Sequence, residues 1–307
     1  MELNQSYGGA PGFTGNPWHW PPLKRLRRRI RTWTNERYWR RPAVQVPRPG
    51  SQRLIVCLTT SPKRIDGLQP VMASLLNQSV MPDEIHLNVP DVFARTGEPY
   101  VIPDWLIATP RVVLHRVSDI GPATKNVPTI ERLEPGDDCI VITVDDDVRY
   151  LPRTIEVLAS AVARQPSMAF GLSGYDLGPR WENRYSSVTG PVEVLEGWAG
   201  WAVHRRAIGR GTGHFFESCR SSRACFLHDD LVMANWLAQQ SIPRIRLVDP
   251  RANTRMMKRR GAQLASGYEA DALHKGAGGM AAGLDPRAVW QELDRGHRWR
   301  LRPRSPA

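Results

Sequence analysis

The sequence lacks a hydrophobic run of the length that crosses a membrane. A transmembrane helix needs about 20 consecutive apolar residues, and no stretch of the 307 residues reaches that length. The first residues also lack the apolar segment of a secretory signal peptide. We therefore expect a chain that neither spans a bilayer nor leaves the cell by the ordinary secretory route.

Cysteine is scarce, with four in the whole chain and none in a C-x-x-C pair. This excludes a disulfide-rich scaffold, and the five-residue gap between Cys219 and Cys225 is not a usual structural-zinc spacing. Cys57 and Cys139 fall in apolar, strand-like runs, which is typical of buried free thiols. The pattern predicts a reduced, cytoplasmic protein.

Acidic residues are few at the start of the chain. Residues 1–50 hold ten Lys/Arg and two Asp/Glu, which gives +8 of the total net charge of +12. The remainder is only mildly basic, so no specific nucleic-acid partner is expected. Leu23, Leu26, Ile30 and Trp33 follow helical spacing between arginines, which favours an amphipathic helix on an anionic membrane surface through residues 24–41. The alternative is a solvated basic tail; the first would place the protein peripherally at the inner face of the membrane.

Apolar runs and helical patterns alternate along the middle of the chain. Continuous apolar runs begin near Leu54, Glu84, Val112 and Cys139, with amphipathic segments between them. This alternation predicts one α/β domain at residues 51–285, with an open, mostly parallel sheet and helices on both faces. Basic tails are expected on either side, a largely disordered or amphipathic one at 1–50 and another at 286–307.

Three adjacent carboxylates, Asp145, Asp146 and Asp147, directly follow the apolar run that ends at Val144. Ligands of open α/β sheets bind beyond the carboxyl ends of the strands. Neighbouring carboxylates repel one another unless a positive charge lies among them, and Mg²⁺ or Mn²⁺ prefers such oxygen ligands together with substrate phosphates. The triplet therefore predicts a divalent metal site, with an acidic helix-capping turn as the alternative.

A second acidic pair, Asp229 and Asp230, opens an amphipathic helix that runs to Gln240. One interpretation is favourable charge at a helix N-terminus, which would keep both carboxylates ionised near neutral pH. The other is a general base that removes a proton from a substrate hydroxyl.

Five segments, in chain order, resemble the glycosyltransferase family 2-like enzymes, which have the GT-A fold. They are the strand Leu54 to Ser61, the helix end Ala73 to Gln78 before Pro82-Asp83-Glu84-Ile85, the glycine-bearing Asp119 to Asn126, the D-x-D of Asp145–Asp147, and the pair Asp229-Asp230. The family usually has Glu where this chain has Asp229. The resemblance covers about residues 52–250.

The resemblance implies a GT-A mixed sheet flanked by helices and a metal-dependent glycosyltransferase of the hexosyltransferase type. Such an enzyme moves a sugar from a nucleotide-diphosphate sugar, with a UDP-sugar favoured, to a hydroxyl of a glycan or other acceptor. We expect inversion, because a base facing the acceptor opposite the leaving group gives that outcome. The implied cofactor is Mn²⁺ or Mg²⁺.

The resemblance also implies residue roles. Nucleotide-sugar contacts fall to Thr59, Thr60, Arg64, Asp119, Lys125, Asp145 and Asp146. Asp147 and Asp145 would hold the metal, with His274 a further candidate ligand. Asp230 would be the base, with Asp229 supporting it. Independently, the small residues and tryptophans of Glu196, Gly197, Trp198 and Trp201 suit an acceptor sugar platform; buried core tryptophans are the alternative.

Other functions remain open on the sequence. A retaining glycosyltransferase or a nucleotidyltransferase would use the same metal-bound carboxylates without needing Asp230 as base. A non-enzymatic basic protein that binds membrane surfaces or nucleic acid would account for residues 24–41 and leave the aspartate triplet unexplained.

Overall fold

The structure is a computed structural model, and it describes residues 34–264, 285–296 and 298–301. The chain divides into two units, Met1–Arg41 and Pro42–Ala307. In the first unit, residues 34–39 form helix α1. The apolar stripe predicted between Leu23 and Trp33, and the candidate ligand His274, lie outside the described residues.

The second unit carries the remaining elements. Its strands are β1 (Arg53–Leu58), β2 (Glu84–Pro90), β3 (Val92–Phe93), β4 (Glu98–Pro99), β5 (Val112–Val117), β6 (Cys139–Thr143), β7 (Ala169–Gly171), β8 (Gly174–Leu177), β9 (Asn183–Arg184), β10 (Gly190–Pro191), β11 (Val194–Leu195), β12 (Trp201–His204) and β13 (Arg244–Arg246). Its helices are α2 (Gln69–Leu75), α3 (Asp104–Ile107), α4 (Val127–Arg132), α5 (Thr154–Arg164), α6 (Thr212–Glu217), α7 (Arg223–Leu227), α8 (Asp229–Gln239), α9 (Thr254–Arg259) and α10 (Pro286–Arg295).

An eight-stranded mixed sheet forms the centre of this unit, in the order β10-β13-β7-β12-β6-β1-β2-β5. The four strands predicted from apolar runs, β6, β1, β2 and β5, are neighbours and run parallel. The second half adds β12, which is antiparallel to both β6 and β7, and then β13 and β10. The predicted fold class, a mixed sheet flanked by helices, is confirmed.

Both faces of the central strands are covered, which explains why their sequences are continuously apolar. Ile55 and Cys57 of β1 belong to one core cluster with Val127 of α4 and Leu231 of α8. Helix α5 packs against β6, β7 and β12. Since the central strands are held on both faces, their carboxyl ends are fixed relative to one another.

The ends of the predicted domain carry further structure. Residues 42–50 belong to the second unit, and the Val46 amide donates a hydrogen bond to the Ser79 carbonyl at 2.9 Å. Helix α10 begins at Pro286, where the sequence predicted a basic tail, and its Val289 and Leu293 are buried in the core. Among the described residues, no helix has both the length and the apolar character needed to cross a bilayer.

Candidate active site

Two of the predicted site segments meet where the parallel strands β1 and β6 end. Thr60 follows β1 and the aspartate triplet follows β6, so both lie at the same edge of the sheet. The Thr60 hydroxyl donates to Asp146 Oδ2 at 2.7 Å. The Arg64 guanidinium lies 3.1 Å from Asp146 Oδ1 and 3.6 Å from Asp147 Oδ2. The sequence prediction that Thr60 and the triplet share one edge is confirmed.

The middle aspartate of the triplet points into the protein. Both Asp146 oxygens have partners, and its side chain is 2% exposed, against 28% for Asp145 and 17% for Asp147. Burial raises the pKa of Asp146, an effect that the Arg64 charge opposes. Asp146 thus anchors the triplet from inside the protein, and the direct nucleotide-sugar contact predicted for it stays a prediction.

Asp147 is a largely buried carboxylate beside two other aspartates. Burial, together with the charges of Asp145 and Asp146, raises its pKa to about 7. The Asp147 carbonyl accepts the Leu264 amide at 2.7 Å, which fixes the backbone of this residue beside the segment after α9. A carboxylate held in this way favours a positive partner.

A buried lysine connects the triplet to the second acidic pair. Lys125 ends a short 3₁₀ helix, Ala123–Lys125, and its side chain is 5% exposed. Its Nζ lies 2.8 Å from Asp145 Oδ1, 2.9 Å from Asp229 Oδ2 and 4.0 Å from Asp230 Oδ1. Burial alone would lower the pKa of Lys125, but the charges of Asp145 and Asp229 hold that pKa well above its ordinary value. The lysine predicted to flank the nucleotide is thus engaged by carboxylates from two motifs.

Gly197 permits this close packing. A Cβ at this position would lie 2.5 Å from Lys125 Nζ and 3.2 Å from Asp145 Oδ1. The Gly197 amide also donates to Asp230 Oδ1 at 3.1 Å. Residue 197 therefore contacts both acidic motifs, and its lack of a side chain leaves room for the ammonium between them.

Asp230, at the start of α8, is a largely buried carboxylate. Burial raises the pKa of Asp230 well above its ordinary value, and the charge of Asp229 adds to the shift, while Lys125 opposes it. Burial therefore acts against the expectation that the helix N-terminus keeps Asp230 ionised. A helix end contributes up to about 2 kcal/mol, whereas burial can shift a carboxyl pKa by several units.

Two further side chains that were predicted to contact the nucleotide form hydrogen bonds with backbone groups. The Asp119 carboxylate accepts the amides of Gly121 and Ala94, each at 2.8 Å. The Thr59 hydroxyl donates to the Asn88 carbonyl at 2.7 Å. These side chains hold nearby backbone segments in place, and their contact with a nucleotide stays a prediction.

The two tryptophans of the predicted acceptor platform have different environments. Trp201 lies in β12, is 2% exposed and belongs to the core, so it does not face an acceptor; the buried-core alternative is correct for this residue. Trp198 is partly exposed, and the Lys258 ammonium lies 5.9 Å from its ring centroid.

Helix α9 brings a basic segment to this edge of the site. Just after it, Val148 pairs with Gln263 in an isolated bridge. In the sequence, the basic segment from Met256 to Gly261, which includes Lys258, is typical either of a loop that closes over phosphates or of a solvated loop.

Within the part of the chain that the structure describes, no three His, Cys, Asp or Glu side chains are grouped so as to hold a metal ion by themselves. Asp145 and Asp147 supply two carboxylates. This matches Mg²⁺ and similar ions, which commonly take one or two carboxylates and complete their coordination with substrate phosphates and water.

Comparisons with known proteins give only distant likenesses. No protein family and no curated protein matches the sequence. Among solved structures, a mannosyltransferase from Pyrobaculum calidifontis in complex with GDP-Man and Mn²⁺ is similar at 13% identity and a TM-score of 0.39, covering 86% of this chain and 76% of that one. GalNAc-T7 with UDP, GalNAc and Mn²⁺ is similar at 10% identity and a TM-score of 0.45, and the match covers 79% of this chain and 55% of the GalNAc-T7 chain. Likenesses at this level assign no role to individual residues.

Proposed function

We propose that this chain is a metal-dependent glycosyltransferase that moves a sugar from a nucleotide-diphosphate sugar to an acceptor hydroxyl with inversion. The observation that carries the proposal is the position of Lys125, whose ammonium lies 2.8 Å from Asp145 and 2.9 Å from Asp229. It joins a carboxylate suited to a donor-bound metal to the pair suited to activating an acceptor. Residues suited to donor chemistry and residues suited to acceptor chemistry thus meet around one lysine.

The residues present fit a divalent cation. Asp145 and Asp147 are the two partly exposed members of the triplet, and burial together with the neighbouring aspartate charges raises the pKa of Asp147. Oxygen-only ligands suit Mn²⁺ or Mg²⁺. When bound, the ion would stabilise the charge that develops on the leaving diphosphate.

Asp230 is the residue that we assign to activating the acceptor hydroxyl. The Gly197 amide holds Asp230 Oδ1 at 3.1 Å, and this orients the carboxylate. A carboxylate with a raised pKa is a stronger base than an exposed one, and a general base works best when its pKa lies near the operating pH. Asp230 therefore takes the proton of the acceptor hydroxyl as the new glycosidic bond forms. Asp229, paired with Lys125, supports that position.

Donor phosphates have a candidate cationic partner beside the metal ligands. Lys258 projects from α9 over Trp198, and the segment after this helix bonds to the Asp147 backbone. A basic helix in this position suits the diphosphate of a nucleotide sugar.

The first experiment is a hydrolysis screen of the purified chain against UDP-, GDP- and dTDP-sugars, with Mn²⁺ or with EDTA. We expect Mn²⁺-dependent release of nucleoside diphosphate from at least one donor. Calorimetry with the same nucleotide should show weaker Mn²⁺-dependent binding by Asp147→Asn. Undiminished binding by this variant would contradict the metal assignment, and absence of donor binding by the wild type would contradict the activity.

The product's anomeric configuration separates the mechanisms. Inversion with a strong dependence on Asp230 supports the proposal. A retaining glycosyltransferase would keep the configuration and tolerate Asp230→Asn, and a nucleotidyltransferase would release pyrophosphate or transfer a nucleotide instead of a sugar.

A further inference from the structure

A small antiparallel sheet, in the order β11-β8-β9, contributes residues beside the proposed base. Tyr185 directly follows β9 and is 56% exposed. Its ring packs against buried Tyr175 of β8, with the centroids 5.6 Å apart. Tyr185 is therefore an aromatic side chain that contacts a buried core residue and still has more than half of its surface open to solvent.

The Tyr185 hydroxyl is fixed by Glu196, which follows β11. It donates to Glu196 Oε1 at 3.0 Å, while the Ser173 hydroxyl donates to the other oxygen. An ionised carboxylate offers about four acceptor positions. Two remain after these bonds, so Glu196 can accept hydrogen bonds from the hydroxyls of a ligand.

The Tyr185–Glu196 pair lies next to Asp230. Gly197, the residue after Glu196, donates its amide to Asp230 at 3.1 Å. Burial raises the pKa of Tyr185 to about 12, and the charges of Glu196 and Asp230 both act in the same direction. Tyr185 thus stays a hydrogen-bond donor at physiological pH, and Asp230 is near enough for its charge to reach the phenol.

We propose that Tyr185 and Glu196 form the acceptor subsite and that the acceptor is a carbohydrate. This rests on the function proposed above, in which Asp230 is the base. A pyranose ring has an apolar face of C–H groups and an edge of hydroxyls. The open face of Tyr185 complements the first, and the spare acceptor positions of Glu196 complement the second.

The surroundings favour a sugar over an apolar acceptor. The segment 182–189 around Tyr185 is exposed throughout and includes Glu182, Asn183 and Arg184. A single aromatic ring within a polar rim suits a ligand with one apolar face, whereas a lipid tail would require a continuous apolar surface.

The test uses the full chain with UDP and Mn²⁺ present. Saturation-transfer NMR measures binding of the methyl glycosides of glucose, galactose, mannose and N-acetylglucosamine. We expect at least one glycoside to bind the wild type and Tyr185→Ala to weaken that binding by about three- to tenfold. Tyr185→Phe should retain most of the binding because the ring remains, and Glu196→Gln should weaken it. Ile107→Ala, a change at a residue of α3 that is 62% exposed, is the matched surface control and should bind as the wild type does.

Two results would overturn this subsite: unchanged glycoside binding by Tyr185→Ala, or no binding of any of these glycosides by the wild type. Either is distinguishable from failure of the proposed function, because donor binding is measured separately by calorimetry without glycoside. Where a glycoside also serves as an acceptor, the Tyr185→Ala defect should appear as a raised acceptor KM.

Discussion

At the scale of single residues, Gly197 is a position where a small change would act on the proposed site. A methyl group there would come within 2.5 Å of Lys125 Nζ, which is itself held by Asp145 and Asp229. The ammonium would have to move away from the new methyl group, and such a shift would alter its distances to Asp145 and Asp229. A displacement of about 1 Å at a reacting centre can cost roughly 10²-fold in rate. We therefore expect Gly197→Ala to lower kcat by about that factor, measured with the donor and acceptor found in the screens.

The control for that variant is Gly136→Ala, since a Cβ at Gly136 meets no atom within 4 Å. It should retain wild-type activity. Circular dichroism should show both variants folded. Wild-type kcat in a folded Gly197→Ala protein would show that the position of Lys125 does not matter for turnover.

The charge on Asp147 has a consequence for stability. Its pKa is about 7 in the folded chain against an ordinary value of 3.8, so the folded state binds this proton more tightly than the unfolded state does. The contribution of Asp147 to the free energy of unfolding is therefore fully favourable below about pH 4 and is lost as the pH rises to about 7. In EDTA, Asp147→Asn should then melt several degrees above the wild type at pH 8, with a difference that shrinks toward pH 4.

Thermal melts across that pH range make the measurement. Adding Mn²⁺ at pH 8 should raise the melting temperature of the wild type more than that of Asp147→Asn, because the ion neutralises the charge that the variant no longer carries. A wild type that is more stable than the variant at pH 8 in EDTA would contradict the assignment of excess charge to this site.

At the scale of elements, the base proposed at the start of helix α8 predicts how catalysis depends on pH. Burial raises the pKa of Asp230, and the neighbouring charge of Asp229 adds to it. A base must be deprotonated to act, so kcat should rise with pH through an apparent pKa well above that of an ordinary aspartate. Asp230→Asn should lower kcat at least about 10²-fold and leave donor binding nearly unchanged.

Asp229→Asn supplies the matched comparison. It removes the neighbouring negative charge, so the acid limb of the pH–rate profile should move to lower pH, although the limb belongs to the coupled pair. Near wild-type transfer by Asp230→Asn would reject the inverting mechanism. An unmoved limb in Asp229→Asn would show that the pair does not control the profile.

The elements themselves could be predicted to different degrees. β1, β2, β5 and β6 follow from continuous apolar runs, because a sheet covered on both faces buries alternate residues on each side. The antiparallel position of β12 between β6 and β7 could not be predicted, since its pairing is set by tertiary contacts. Strands of two residues, such as β9 and β11, are too short to show any periodicity.

At the scale of the whole molecule, the family resemblance implied that the two acidic motifs serve one site, but no pattern in the sequence indicated the lysine that links them. Lys125 pairs with Asp229, 104 positions further along the chain, and no local pattern reports such a contact. The difference between buried Trp201 and partly exposed Trp198 also depends on the path of the chain into β12. The strand pattern thus predicts the sheet edge where Thr60 and the triplet lie, while the charge pairing of Lys125 depends on the tertiary fold.

The whole chain also joins two units of different character, which leads to the last prediction. Met1–Arg41 holds nine Lys/Arg and two Asp/Glu, so +7 of the net +12 belongs to this unit. Each basic residue near an anionic bilayer contributes about 1 kcal/mol. Removing residues 1–41 should therefore abolish most sedimentation with phosphatidylserine vesicles. Removing residues 1–50 should also lower the melting temperature, because the hydrogen bonds of Ala43, Gln45 and Val46 are lost.

Two controls accompany the vesicle assay: vesicles of phosphatidylcholine alone, and 0.5 M salt, which shortens the electrostatic screening length to a few ångströms. In both, the full chain should stay in the supernatant. Equal sedimentation of the full chain and the shorter one would place the membrane affinity elsewhere or rule it out, and equal melting temperatures for the two deletions would show that residues 42–50 add no stability.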